Sequence, residues 1–262
     1  MPLTLENITY KAGSFEIRDL SLTINDADKV AIMGATGCGK STLLGLFTGL
    51  ENPLKGRLLL DGEEADIRKE VGILFQYPER QLFASTVKDD VLFALRKQKL
   101  SKDEKEKRLN WALSTMGFEG DEIRRTSPLS LSGGEKRRVA IAGVIITKPR
   151  FLFFDEPFAG LDPKARDDFE ALTDKLNQEG IAIITVTHNS DAASKYNRLI
   201  VLDNGRIVKD STPEEILSSA EKALHYGLEP STTGLISSIL NLQPTVDEDK
   251  LVDEIMEKWG GK

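Results

Sequence analysis

The sequence contains only one cysteine, Cys38, and two histidines among 262 residues. A single cysteine cannot form an internal disulfide, which fits a reducing cytosol. Long apolar runs are also absent. The longest stretches, such as "IAIITV" at 181–186, are far shorter than the roughly 20 residues that a membrane-spanning helix needs. The opening "MPLTLENITY" lacks the basic stretch and apolar run of a signal peptide. We therefore expect no segment that crosses or is exported through a bilayer.

Excess positive charge is missing as well, since the formal net charge is -7. This balance argues against a broad basic surface, so we expect no nucleic acid partner. Hydrophobic residues make up 40% and charged residues 29% of the chain, which is ordinary for a globular protein. The length is compatible with one large domain, or with one domain and a small appendage.

Four continuous apolar runs predict the centre of the fold: "KVAIM" at 29–33, "VGILF" at 71–75, "FLFF" at 151–154 and "IAIITV" at 181–186. Helical patterns separate them, which is typical of strands buried on both faces of a parallel sheet. Near the start, "FEIRDLSLTIN" alternates apolar and polar residues with one register slip, and "GRLLLDG" ends in a turn. We predict an α/β fold with a parallel-sheet core and an antiparallel β subdomain.

The region from about 78 to 147 is predicted to be a helical subdomain inserted into this core. Thr86 with Asp89 and Ser101 with Glu104 are helix-capping pairs in front of apolar-periodic runs. Asn204 and Gly205 predict a hairpin turn, after which Thr212 and Pro213 start a helix. We therefore expect one domain over 1–218 and a C-terminal extension of two or three short helices over 219–262.

The segment "GATGCGKS" follows one predicted buried strand and starts a helix, the context that a phosphate-binding loop requires. Its glycines let backbone N–H groups approach phosphate oxygens. Lys40 is predicted to bridge the β- and γ-phosphates of a nucleotide, and Ser41 to hold Mg²⁺.

Cys38 fits as a small residue of the loop. A helix N-terminus lowers a thiol pKa, so alkylation that ATP suppresses would identify a reactive thiol there. The predicted nucleotide-binding residues are Gly34, Ala35, Thr36, Gly37, Cys38, Gly39, Lys40, Ser41 and Thr42.

Polar side chains follow three of the buried strands. Asp155 and Glu156 directly follow "FLFF". Ligands of parallel sheets bind at the carboxyl ends of the strands, where these two acids would lie. Asp155 suits support of Mg²⁺, and Glu156 is placed to orient or polarise an attacking water. His188 would donate to a γ-phosphate oxygen from the same edge, although a hydrogen-bonded strand end is the simpler interpretation. Gln76 could ligate Mg²⁺ or the water and act as a sensor.

A second helix start, "LSGGE", lacks both a lysine and a metal ligand. Ser132 can cap the helix, while Gly133 and Gly134 leave backbone N–H groups uncovered. The segment is suited to meet an anion that is held elsewhere, the alternative being a capped helix without a binding role.

With these elements in this order, residues 3 to about 215 resemble the ATP-binding subunits of ABC transporters. The Walker A loop, Gln76, the signature "LSGGE", Walker B with Glu156, the D-loop "AGLD" and His188 are all present. The resemblance implies ATP and Mg²⁺ as cofactors and a head-to-tail dimer, in which one signature closes over the ATP of the other chain. It places Asp162 at the dimer seam. Tyr10 resembles the aromatic residue that stacks on adenine, although a core tyrosine in a first strand would look the same.

A narrower resemblance is to the ATPases of energy-coupling factor (ECF) transporters, which import vitamins or transition-metal ions. It is carried by "YPERQLF" after Gln76 and by "GLEPSTTGLISSIL" at 227–240, which is similar to their dimerisation extension. The resemblance implies a second ATPase subunit, identical or related, and a substrate-binding membrane component. It also implies a transmembrane coupling protein docking near Gln76–Phe83, with Glu79 as a candidate carboxylate for its arginines. The expected location is peripheral, on the cytoplasmic face of the cell membrane.

Two other functions stay open at this point. The core motifs equally allow an exporter or another importer class of ABC transporter. A soluble ABC ATPase of DNA maintenance would need a long coiled coil between the phosphate loop and the signature, and the intervening stretch of about ninety residues carries no sustained heptads.

Overall fold

The computed structural model describes residues 2–260, which fall into two compact units. Among the described residues, the first comprises 2–65 and 184–260, and the second comprises 66–183.

In the first unit an antiparallel sheet has the order β2, β1, β4, β5. Its strands are β1 (Leu3–Ala12), β2 (Phe15–Ile24), β4 (Lys55–Leu60) and β5 (Glu63–Glu64). Leu3 pairs with Ile24 and Leu5 with Leu22, and all four side chains are buried. The register shifts where β2 passes from Ile17 to Leu20, which confirms the slip predicted from the sequence. The antiparallel portion is therefore confirmed.

The same unit contains parallel strands that carry the phosphate loop. Strand β3 (Lys29–Met33) is buried throughout and pairs in parallel with β9 (Arg198–Asp203), which pairs antiparallel with β10 (Arg206–Ser211). Between β9 and β10, Asn204 and Gly205 both have positive φ, at 44° and 72°, as the predicted hairpin turn requires. Helix α1 (Lys40–Phe47) follows β3 after the loop.

The rest of the first unit is helical. Helix α7 (Ser190–Ser194) follows β8 (Ala182–Val186), and Thr212 caps α8 (Pro213–Leu217) as predicted. Three further helices then confirm the expected helical C-terminus: α9 (Ala220–His225), α10 (Thr232–Leu240) and α11 (Glu248–Trp259).

In the second unit, β6 (Val71–Leu74) pairs in parallel with β7 (Phe151–Asp155). The first four residues of β7 are phenylalanines and a leucine, and their side chains are fully buried. Helix α5 (Gly133–Ile145) packs on β6. A Cβ at Gly72 would lie 2.7 Å from Cγ1 of Val144, so glycine at this position allows the close approach of helix and strand.

The other helices of this unit are α2 (Val87–Phe93), α3 (Lys102–Thr115), α4 (Glu122–Arg125) and α6 (Pro163–Gln178). Three 3₁₀ turns lie at Ile67–Lys69, Pro78–Gln81 and Pro128–Ser130. Thr86 accepts a hydrogen bond from the backbone of Asp89, and Ser101 forms a complete capping box with Glu104, as predicted. Over the described residues 2–260, every helix is too short or too polar to span a bilayer.

Candidate nucleotide-binding site

The loop between β3 and α1 has the backbone geometry of a phosphate cradle. Gly34, Gly37 and Gly39 have φ values of 151°, 81° and 109°, and residues with a Cβ rarely adopt such values. Ala35, Thr36 and Gly37 are exposed, while the amide of Cys38 donates to Ala35 O at 3.2 Å and closes the turn. The loop therefore presents its tip to ligands.

Lys40 and Ser41 begin the helix that follows. Lys40 Nζ donates to Gly34 O at 2.8 Å and to Ala35 O at 3.0 Å, so the ammonium group lies over the loop itself. Ser41 is exposed, and Thr42 behind it is half-buried. A positive charge and a hydroxyl group thus lie beside a ring of backbone atoms, an arrangement that suits a phosphate chain with its cation.

The surroundings of Cys38 favour the interpretation as a small residue of the loop over the alternative of a reactive thiol. The side chain is only 4% exposed, and burial raises the pKa of the thiol in spite of the nearby charge of Lys40. Its carbonyl accepts a hydrogen bond from Gly205 N at 2.9 Å, which ties the loop to the β9–β10 turn. Cys38 is a packed structural residue of the loop.

Two aromatic side chains belong to this part of the chain. The predicted adenine partner, Tyr10, is half-buried and donates from its hydroxyl to Glu51 Oε2 at 2.8 Å, a hydrogen bond that raises the pKa of Tyr10. Phe15 was missed by sequence reasoning. A Cβ on Gly39 would lie 2.3 Å from its Cζ, so the Phe15 ring directly covers the last glycine of the loop. Nothing in the local pattern of a half-buried strand singles out such a contact.

His188 lies two residues beyond the end of β8 and is exposed. The amide of its neighbour, Thr187, donates to Ile32 O at 3.1 Å, near the end of β3. The structure therefore brings the histidine to the strand edge from which the phosphate loop leaves, as the sequence predicts for parallel strands.

In the second unit, Asp155 is the last residue of β7 and Glu156 follows it, both half-buried. Glu156 has a φ of 48°, an unfavourable value for a residue with a Cβ. Such conformations cost about 1–3 kcal/mol and concentrate where side-chain placement matters. Ala159 N donates to Glu156 O at 3.2 Å, and Pro157 O accepts a hydrogen bond from Arg137. The turn carrying Glu156 is thus held by its own backbone and by a side chain from α5.

The segment after β6 begins with two exposed residues, Phe75 and Gln76. Tyr77 has a φ of 61°, and the 3₁₀ turn Pro78–Gln81 follows. A Cβ on Gly160 would lie 4.0 Å from Cε1 of Tyr77, so this segment touches the "AGLD" loop.

The "LSGGE" segment starts α5 as predicted. Ser132 accepts a hydrogen bond from Glu135 N, and the Glu135 carboxylate accepts from Ser132 N at 2.9 Å, which completes a capping box. The Ser132 hydroxyl also donates to the Glu135 carboxylate at 2.7 Å, and this hydrogen bond, with the one from Ser132 N, holds the pKa of Glu135 below its ordinary value. Apart from the adjacent residues and the helix's own backbone, no atom of residues 2–260 lies within 4 Å of a Cβ built on Gly133 or Gly134. The backbone at the start of this helix is open to a partner.

Asp162 caps α6, because its Oδ1 accepts a hydrogen bond from Ala165 N at 2.8 Å. The pair Asp162–Pro163 is a common helix start, so the sequence contained this signal. Asp162 is also exposed, which leaves its other carboxylate oxygen accessible.

Glu79, the candidate carboxylate for the arginines of a coupling protein, is not a fully exposed surface acid. It is half-buried, and its Oε2 is buried without a hydrogen-bond partner among residues 2–260. The nearby cation is Arg137 of α5. The burial arises because the 3₁₀ turn packs against α5, a contact between distant parts of the chain.

The donor set fits Mg²⁺ only in combination with a nucleotide. In the described part of the chain, no group of three or more histidine, cysteine or acidic side chains could hold a metal ion by itself. Mg²⁺ is commonly bound by one or two protein oxygens together with substrate phosphates and waters. A hydroxyl such as that of Ser41 and a carboxylate such as that of Asp155 are ligands of this kind.

A glycine-rich loop between a parallel strand and a helix, with its lysine over the loop and acids ending another strand, defines a P-loop nucleotide-binding protein. The sequence profile described as "ABC transporter" matches residues 17–159. The energy-coupling factor transporter ATP-binding protein EcfA2 of Clostridium tetani is 38% identical over 256 residues, covering 91% of this chain and 89% of its own. The chain therefore belongs to the ABC transporter family, among the energy-coupling factor transporter ATP-binding proteins.

Two solved structures are similar in fold. CbiO1 of Clostridium perfringens, described as part of the ABC transporter complex cbiONQ, matches with a TM-score of 0.75 and 34% identity over 85% of this chain and 92% of its own. A dimeric ATP-binding cassette in a post-hydrolysis state, bound to ADP and phosphate, matches with a TM-score of 0.67 and 30% identity over 81% of this chain and 99% of its own. The predicted fold class is confirmed.

Proposed function

We propose that this chain is the ATP-hydrolysing, energy-coupling subunit of an ECF-type importer that takes up a vitamin or a transition-metal ion through a membrane partner. The observation that carries the proposal is similarity over nearly the whole chain to proteins named as ECF transporter ATP-binding subunits, together with an intact set of ABC motifs. The long similarity extends beyond the ATPase core into the C-terminal helices.

ATP is bound by the loop Gly34–Thr42, with Lys40 bridging the β- and γ-phosphates and Tyr10 against the adenine. The positive φ values of the loop glycines and the exposed tip support this assignment. Ser41, Gln76 and Asp155 would hold Mg²⁺, which when bound neutralises charge on the phosphate oxygens. Phe15 supports the cradle from behind by fixing the position of Gly39.

Glu156 orients or deprotonates the attacking water, and the charge on the γ-phosphoryl group is stabilised by Lys40, Gln76 and His188. The left-handed backbone at Glu156 supports this role, because the turn sets the direction of its carboxylate independently of β7. His188 is exposed at its strand edge, which supports its proposed contact with the ligand.

The site is completed by a second ABC subunit, identical or related, whose Ser132, Gly133 and Gly134 close over the γ-phosphate. The open space around the two glycines supports this, since nothing in this chain covers them in the described residues. Asp162 joins the seam of the same dimer. The dimeric architecture of a similar cassette bound to ADP and phosphate agrees with this arrangement.

The C-terminal extension 219–262 is proposed to strengthen that dimer. Apolar side chains on α10 and α11 recur at helical spacing and are 44–67% exposed, which is unusual for an isolated surface. They are Leu235, Ile239, Val252, Met256 and Trp259.

A transmembrane coupling protein is proposed to dock near Gln76–Phe83, which places the chain peripherally at the cytoplasmic face of the membrane. Phe83 is 63% exposed and packs edge-to-face on the partly exposed Phe93, with ring centroids 4.7 Å apart. Exposed aromatic pairs of this kind are typical anchors for a partner helix. A separate membrane component would bind the imported substrate.

Replacement of Glu156 by glutamine tests the enzymatic part of the proposal. Loss of a general base should lower the rate of ATP hydrolysis by about 10²- to 10⁴-fold, while ATP binding persists and traps a closed dimer visible by light scattering. Glu179→Gln, at an exposed acid of the same unit, is the matched control. Normal turnover in Glu156→Gln, or a monomer in the presence of ATP, would contradict the assignment.

Purification in detergent tests the transport part. A polytopic membrane protein should copurify with the chain, and its binding should weaken in Phe83→Ala. A chain that instead copurifies with DNA, or with no membrane protein, would reject the importer function while leaving the ATPase activity intact.

A further inference from the structure

Arg137 is a half-buried cation that connects three segments of the second unit. It lies in α5, one turn after Gly133, and its Nη2 donates to the carbonyl of Pro157, next to Glu156. Burial lowers the pKa of Arg137, and the nearby Glu79 and Tyr77 oppose this effect. Arginine stays protonated in proteins, so a positive charge is held at this half-buried position.

The partner charge comes from the segment that follows Gln76. Glu79 lies in the 3₁₀ turn Pro78–Gln81, which packs against α5. Over residues 2–260, Glu79 Oε2 and Arg137 Nε are both buried and both lack a hydrogen-bond partner. Glu79 and Arg137 therefore attract each other electrostatically, and these two buried atoms are not held by hydrogen bonds among residues 2–260. A small displacement of the turn would change this attraction.

The residues on either side of this pair are held in unfavourable backbone conformations. Tyr77 has a φ of 61° and Glu156 one of 48°. The Tyr77 ring also approaches Gly160, four residues after Glu156. Strained backbone persists only where surrounding contacts over-determine it, and on the Glu156 side the hydrogen bond from Arg137 to Pro157 is one such contact.

We propose that Arg137 is a positioning residue: its hydrogen bond to Pro157 sets the orientation of Glu156, and its attraction to Glu79 makes that orientation follow the segment Gln76–Gln81. The inference rests on the proposed function, in which Glu156 acts on water and Gln76–Phe83 meets the membrane partner. Docking at that segment would then change the orientation of the turn that carries Glu156, and the Arg137 side chain alone would transmit this change.

The neighbouring Arg138 is a different case. Its guanidinium lies over the Phe118 ring, 5.2 Å from the centroid, and the side chain is exposed. The assignment is therefore specific to Arg137 and does not follow from a basic helix in general.

The test compares Arg137→Gln, Arg137→Lys and a matched control in the full chain and in the detergent-purified complex. The control is Arg124→Gln, because Arg124 is a partly buried arginine of the same unit that pairs with Glu106 and also has a buried Nε without a partner among residues 2–260. It makes no contact of the kind that Arg137 makes with Pro157.

For Arg137→Gln we expect kcat for MgATP to fall about 10- to 100-fold with KM nearly unchanged, since a misplaced reacting group costs rate and the nucleotide contacts stay intact. Arg137→Lys should recover part of kcat, because an ammonium can reach the Pro157 carbonyl and still attract Glu79. Arg124→Gln should lower the midpoint of urea unfolding by as much as Arg137→Gln and yet keep kcat. A fall in kcat of equal size in both variants would make Arg137 merely structural and overturn the proposal.

A double-mutant cycle with Glu79→Gln tests the link to the docking segment. We expect the effects of Arg137→Gln and Glu79→Gln on stimulation of ATP hydrolysis by the membrane partner to be strongly non-additive. Additive effects would reject the link. If Glu156→Gln hydrolyses ATP normally, the proposed function itself fails; if Glu156→Gln is inactive while Arg137→Gln keeps full kcat, only the present inference fails.

Discussion

The carbonyl oxygen of Leu202 lies directly against the α carbon of Gly34: a Cβ built on Gly34 would approach that oxygen to 2.1 Å. Leu202 belongs to β9, and Gly34 is the first residue of the phosphate loop. The contact is between two backbone segments, so no side-chain rotation could relieve the clash that a methyl group on Gly34 would make.

Gly34→Ala should accordingly weaken ATP binding by about tenfold or more, because the first turn of the cradle must shift. Titration with a fluorescent ATP analogue would measure this. Gly180→Ala is the control, since Gly180 also has positive φ, at 93°, but has open space at the Cβ position. Gly180→Ala should lose about 1 kcal/mol of stability from backbone strain, and Gly34→Ala should lose more because the clash with Leu202 adds to that strain. Equal ATP affinities would show that Gly34 is needed for folding alone.

Gly134→Ala should separate stability from activity. The added methyl group meets no atom within 4 Å, and alanine is favoured over glycine in a helix, so the free energy of unfolding should stay equal or rise by up to about 1 kcal/mol. Hydrolysis by the assembled dimer should nevertheless fall about tenfold or more, because the methyl group keeps the phosphate away from the backbone N–H groups.

The matched variant is Gly143→Ala in the same helix, where a Cβ has ordinary contact with Val91 at 4.0 Å. It should keep the hydrolysis rate. Full activity in Gly134→Ala would mean that the start of α5 does not meet the γ-phosphate.

Cys38 should react slowly with iodoacetamide at neutral pH, whether or not ATP is present. Its raised pKa means that the thiolate forms only at a pH above that of an ordinary cysteine, and the side chain is buried. Labelling followed by mass spectrometry at pH 7 and pH 9 should show a steep increase with pH. Fast labelling at pH 7 that ATP suppresses would instead restore the idea of a reactive thiol.

Asp162 has two proposed roles, as the cap of α6 and as a charge at the dimer seam, and two substitutions separate them. Asp162→Ala removes the cap of α6 and should cost about 1 kcal/mol of stability, whereas asparagine caps as well as aspartate. We expect Asp162→Asn to unfold like the parent and yet to hydrolyse ATP about tenfold more slowly, because the charge at the dimer seam is lost. Parent-like hydrolysis in Asp162→Asn would reduce the residue to a helix cap.

Features that depend on neighbours in the sequence were predictable. The buried runs of β3, β7 and β8, the capping box at Ser101 and the Asn204–Gly205 turn follow from local patterns, and each is confirmed. The glycines of the phosphate loop belong to the same class, because strand, loop and helix are contiguous.

Features that depend on packing between distant segments were not predictable. Arg137 meets Pro157 and Glu79 only after α5, β7 and the 3₁₀ turn have assembled, and a run of basic residues after a signature gives no hint of which one makes these contacts. Likewise, the helix terminus near Cys38 is visible in the sequence, whereas the burial that outweighs it is not.

The positive φ values of Tyr77 and Glu156 also bear on how this protein could be engineered for heat resistance. A common approach replaces residues in left-handed conformations by glycine, which relieves about 1 kcal/mol at each site. At Tyr77 and Glu156 that replacement would release the arrangement on which catalysis is proposed to depend. Ala27, with a φ of 57° in the turn before β3, offers the same gain at a position with no proposed part in ATP hydrolysis. Substitutions meant to raise the thermal stability of this protein should therefore be made first at such turns. Tyr77 and Glu156 should be kept.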